Sequence, residues 1–136
     1  MEIVPEIMCA ISIPQPWASL VAMGVVDQVR LEIERPPIGL GAVYATGRLS
    51  YVEASGAWNR LVAAVAFGNA PLAFPLPQSA VIALARVEVS DVGWARFSHV
   101  CRAAYPVAEL GTSGVWRWHV PARCREERFW TPATVP

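Results

Sequence analysis

Residues 28–34, QVRLEIE, alternate strictly, with Val29, Leu31 and Ile33 on one side and Arg30, Glu32 and Glu34 on the other. A period of two with one apolar side predicts a half-buried strand. GAVYATG, residues 41–47, reads as a second strand, ended by Gly47. SAVIALARVEVSDV, residues 79–92, predicts the longest strand, with Val81, Ala83, Ala85, Val87 and Val89 on one face. GVWRWHVP, residues 114–121, predicts another, setting Trp116, Trp118 and Val120 against Arg117 and His119.

The helical period occurs twice. From Pro16 to Met23, Trp17, Leu20 and Val21 share a face and Gly24 ends the run. Pro16 suits the first helical position, where its missing N–H costs nothing. In residues 50–68, Ser50 and Glu53 have capping-box spacing, Leu61, Val62 and Val65 recur helically, and Gly68 suits a C-terminal cap. Gly56 delays this helix to near Ala57. Pro71, Pro75 and Pro77 make a rigid extended connector, and residues 131–136 form a tail expected to fray. The expected fold is one α+β domain over residues 1–136. Its mostly antiparallel sheet curls into a small β-barrel, and two to three short helices cover the edges and ends.

Composition narrows the class. Hydrophobic residues make up 54% and charged residues 16%, which describes a core-rich globular chain. No apolar run approaches the roughly 20 residues of a membrane helix, so no membrane partner is expected. MEIVPEIMC lacks a basic leader, and Cys9, Cys101 and Cys124 are odd in number and widely spaced. The expectation is reduced thiols in a cytoplasmic protein. All eleven basic residues are arginine and the net charge is zero. The absence of lysine removes the lysine nucleophile and base. Zero net charge opposes a strong grip on duplex DNA and leaves local basic patches open.

The stretch ISIPQPWASLVAMG, residues 11–24, joins a strand to a helix through a stiff connector. Pro14 keeps Ile13 extended, and the junction holds Gln15 in place. Its amide could meet a polar ligand or cap the local backbone. This stretch resembles the opening signature of the ASCH domain family, relatives of the RNA-binding PUA domain. In that family a strand reading like LSI runs into QPWA and a short helix ending in Gly. PPIGLGAVYATG is similar to the family's second signature, SAVIALARVEVSDV to its later strand, and GVWRWHVP to its aromatic strand. The resemblance covers most of the chain in order, and the first stretch is its specific part. It implies a PUA-like barrel whose cleft binds RNA or a modified nucleoside. The family commonly continues Gly-x-Lys-x-x-Glu-x-Arg; counted from Gly24, those charged positions hold Val26, Val29 and Leu31 here. Shifting by one residue places Asp27, Arg30 and Glu32 there instead. Members that hydrolyse acylated cytidine use a lysine and a threonine in this segment with a distant glutamate. This chain has no lysine and no threonine before Thr46, so that chemistry is not carried over.

The candidate ligand-binding residues are Gln15, Arg30, Arg35, Tyr44, Thr46 and His119. Arg30 or Arg35 could fork onto a phosphate, or form ion pairs on a solvated strand face. Tyr44 to Thr46 end a strand beside the junction, and His119 is a base or stacking group on the polar side of its strand. Among the six tryptophans Trp17 is assigned to the core, while Trp94, Trp116, Trp118 and Trp130 are stacking platforms, core or dimer contacts. His99, Cys101, His119 and Cys124 match no zinc spacing, and no cofactor or metal is expected. The leading reading is a binding domain for RNA or a nucleoside-like small molecule. A small hydrolase using Ser12, Tyr44, Thr46 and His119 is the alternative. A third reading is an interaction module, such as a homodimer, with a vestigial cleft.

Overall fold

The computed structural model describes residues 4–31, 38–49, 76–91 and 93–133. The alternating segments become strands: β1 (Ile7–Gln15), β2 (Gln28–Arg30), β3 (Gly39–Leu49), β4 (Ala80–Asp91), β5 (Trp94–Ala108), β6 (Val115–His119) and β7 (Trp130–Pro132). One α-helix, α1 (Trp17–Ala22), and two 3₁₀ turns (Ala122–Arg125 and Glu127–Phe129) complete the described elements. The sheet runs β2-β5-β4-β3-β1-β6, with β7 also on β5. β1 and β3 are parallel and every other described pair is antiparallel. The path starts at β2 and ends at β6, which do not pair among the described residues, so the sheet is mixed and open.

β5 is the longest strand, and the alternation of the sequence does not announce it. Its register on β4 shifts between the pairs Leu84–Cys101 and Arg86–Ser98, at His99 with φ 50°. It shifts again between Val81–Val107 and Ala83–Arg102, where β5 runs five residues against two on β4. Such bulges break a period of two and bend the strand. Its outer edge is therefore divided, with Trp94 to Arg96 on β2 and Cys101 to Ala103 on β7. Thr131 and Pro132, expected in a frayed tail, belong to β7, and the Ala133 N–H donates to the Val100 carbonyl at 2.8 Å.

Both faces of the sheet are covered. On one face α1 presents Leu20 and Val21 to Ile11, Ile13, Val43, Ala83, Val87 and Phe97. On the other, Cys124, Phe129 and Trp130 cover Met8, Ala10, Ala42, Leu84 and Trp118. The β4 bulge places Val81 in the second cluster, apart from Ala83, Ala85 and Val87, while Val89 is exposed. The single face predicted for those five residues is thereby divided. Trp17 packs only partly buried against the first cluster. The predicted helix over residues 50–68, with Glu32, Glu34 and Arg35, lies outside the described residues. No helix among the described residues is long and apolar enough to cross a membrane.

Candidate functional site

The strand–helix junction is held by Gln15, whose side chain is 0% exposed. Its Nε2 donates to the Pro77 carbonyl at 2.8 Å, and its Oε1 accepts the Ser19 N–H at 3.0 Å. Ser19 lies in the first turn of α1, where backbone N–H groups lack intrahelical partners. Pro16 follows a cis peptide bond and takes the N-cap position, so the helix begins one residue later than predicted. Of the two uses the sequence offered, this amide serves the backbone. Its remaining N–H and lone pair are closed off by burial rather than by bonding.

Beside the junction, β1 and β3 pair Ser12 with Tyr44. The buried Tyr44 hydroxyl donates to the Glu109 carbonyl at 3.0 Å and accepts the Gly111 N–H at 3.2 Å. Trp116 stands edge-on to Tyr44, with ring centroids 5.0 Å apart, and its indole N–H donates to Ser12 Oγ at 3.0 Å. Ser12 Oγ in turn donates to the Thr112 carbonyl, and the Ser12 N–H donates to the Gly114 carbonyl at 2.9 Å. Residues 109–114 thus form a strap across the two rings. Gly111 lies so close that a Cβ there would meet Tyr44 at 2.7 Å and Trp116 at 2.8 Å. Thr46 is half-buried two residues further along β3.

This end of the β1–β3 pair gathers Tyr44 and Thr46 with Ser12 and Trp116, while Gln15, three residues beyond Ser12, turns to the face covered by α1. Arg30 and His119 lie elsewhere. Arg30 pairs with Trp94, opposite Asp91, while Ala45 pairs with Ala80. Those are the two ends of β4, about 35 Å apart along the strand. His119 pairs with Ile7, five residues before Ser12 on β1. That separation is about 16 Å along the strand, and the odd spacing puts His119 on the other face. Ser12 Oγ has the Thr112 carbonyl and the Trp116 indole as partners, and no imidazole or carboxylate bonds it among the described residues. Among its described partners there is no base to activate it.

Val26, Val29 and Leu31 are all buried in the cluster around α1. No three metal-ligating side chains gather among the described residues. Cys9 is exposed, Cys101 half-buried and Cys124 buried, all as free thiols. Burial pushes the Cys101 and Cys124 thiols up from their ordinary pKa. The strap was missed in the sequence because its partners lie 65 to 104 residues apart. Its only local sign is the turn-like GTSG at residues 111–114. The chain matches no family model and no curated protein.

Proposed function

We propose that the chain is an ASCH-type ligand-binding domain of PUA-like architecture. Its ligand is a modified nucleoside or an unpaired RNA base, bound at the end of the β1–β3 pair. The observation that carries this reading is the gathering of Ser12, Tyr44, Thr46 and Trp116 beside the junction built by ISIPQPWASLVAMG. Ser12 Oγ keeps one lone pair beyond its bonds to Thr112 and Trp116, and with the indole beside it this suits a donor group on the edge of a base. The mostly antiparallel sheet supports the architecture, and its open ends at β2 and β6 are where the described residues depart from a barrel.

Binding is favoured over hydrolysis for two reasons. The positions matching the family's charged motif are buried apolar residues, and Ser12 has no base among its described partners. The test is a titration of nucleosides, acylated cytidine and short RNAs followed by tryptophan fluorescence. Ser12→Ala should weaken the best ligand by about 1–3 kcal/mol; it also orphans the Trp116 indole N–H and the Thr112 carbonyl, so its affinity is read at a temperature well below its own lowered melt. Failure of every member to bind, or turnover of acylated cytidine by the pure protein, would overturn the reading.

A further inference from the structure

β6 is one end of the sheet and pairs only with β1 among the described residues. The Val120 N–H donates to the Glu6 carbonyl at 2.8 Å, and the Ser12 N–H donates to the Gly114 carbonyl at 2.9 Å. Bonded and non-bonded pairs alternate along an antiparallel ladder. Trp116 and Trp118 therefore exchange backbone bonds with Ala10 and Met8, while Val115, Arg117 and His119 turn their N–H and C=O groups outward. No described bond uses these outward groups.

The side chains follow the same alternation. Trp116 and Trp118 belong to the second cluster and Val115 packs on the α1 cluster, so Arg117 and His119 lie on the α1 side, where both are exposed. No described ion pair or side-chain hydrogen bond engages either. The neighbouring strands add Ile7, Cys9, Gly39 and Gly41 to this end of the face, and none of them is acidic. Glu6 turns to the opposite face, where Arg125 holds it at 3.2 Å.

A guanidinium and an imidazole thus stand at alternate positions beside a row of unpaired backbone donors and acceptors. Charged side chains on an edge oppose its pairing with a second copy. Two β6 strands aligned antiparallel over their full length would set Arg117 against Arg117, and like charges directly opposite destabilise a pair. The same arrangement favours a strand of opposite charge. We infer that β6 accepts an extended acidic peptide from another protein as an added antiparallel strand, with acidic residues at alternate positions opposite Arg117 and His119. Main-chain bonds supply the affinity of such an addition, and the alternate side chains supply its selectivity. The intervening peptide side chains fall on the side of Trp116, whose half-buried ring offers them an apolar contact. This edge goes beyond the nucleoside site and does not rest on it.

The test uses the full chain and a short labelled peptide alternating valine and glutamate, read by anisotropy across a salt series. The glutamate peptide should bind more tightly than its lysine counterpart, and the margin should shrink as salt rises. Methylating the glutamate amide nitrogens, which face the edge, should weaken binding roughly 2- to 13-fold per lost bond, and methylating the valine nitrogens should cost clearly less. Arg117→Ala should weaken binding about 1.4- to 5-fold, and Arg117→Glu should reverse the preference toward the lysine peptide, both with the melt nearly unchanged. Absence of glutamate-peptide binding at the lowest salt, equal loss from either methylation pattern, or an unreversed preference in Arg117→Glu overturns the inference. Self-association of the chain that Arg117→Ala strengthens, and that the peptide does not compete with, gives the edge to a second copy and also overturns it. None of these results touches the nucleoside titration.

Discussion

Gly111→Ala should destabilise the protein through one methyl group. The added carbon would lie 2.7 Å from two Tyr44 ring atoms and 2.8 Å from a Trp116 ring atom. Neither ring is a flexible tip. Tyr44 is buried and bonded through its hydroxyl to Glu109 and Gly111, and Trp116 is tied through its indole N–H to Ser12. Relief requires the strap to lift, and overpacking of this kind costs about 1–3 kcal/mol. Lifting also weakens the Gly111 N–H bond to Tyr44, worth about 0.5–1.5 kcal/mol. The smaller entropy of an alanine-containing unfolded chain returns about 0.4–1 kcal/mol. The net expectation is a loss of about 1–3 kcal/mol, read as a lower urea midpoint at unchanged slope. Tyr44→Phe removes the bonds that the strap already loses, so it should cost less in the Gly111→Ala background than alone. That double-mutant cycle isolates the coupling. An unchanged or raised midpoint for Gly111→Ala would refute the seating of the strap on the two rings.

Gln15→Ala orphans a helix N–H and a carbonyl, and should cost about 2–4 kcal/mol in a thermal melt. An unchanged melt would show that the amide does not support the junction. Trp118→Ala should cost about 3–5 kcal/mol, and Trp17→Ala clearly less because its ring is only partly buried; equal losses would contradict the packing. A thiol reagent should modify Cys9 first and Cys124 only on unfolding. Because the Cys101 and Cys124 thiols are raised in the folded state, their contribution to stability is full below the unfolded thiol pKa, near 8.5, and is lost above it. Melting temperatures should therefore fall as pH rises past about 8.5, less steeply in Cys124→Ala; identical slopes would exclude that thiol.

The strands β3, β4 and β6 and the helix at Trp17 were legible because each is an apolar or alternating run with a glycine or proline close to its bounds, although β3 runs past the expected stop at Gly47 to Leu49 and the bulge in β4 divides its predicted face. β5 was not, because the bulges at His99 and before Val107 break its period. β7 is too short, at Trp130 to Pro132, to carry a pattern. The candidate site divides in the same way. The sequence identified Gln15 as fixed, but its use depends on Pro77, 62 residues away. It identified Arg30 as facing away from the core, but not that its neighbour is Trp94, which required the β2–β5 register. Alternation assigns a side chain to a face, and only the partner strand says what it faces.

The strap ties the ends of the chain's history together. Ile7 pairs with His119, and Ser12 and Tyr44 are closed over by residues 109–116, so this corner forms only when distant segments have met. Contacts of such long span make folding slow, because the loop must close before anything is gained. A ligand seated there would bind no partly assembled chain. Its affinity would add to the stability of the whole fold by mass action, so a thermal shift that grows with ligand concentration reports a ligand held by this corner.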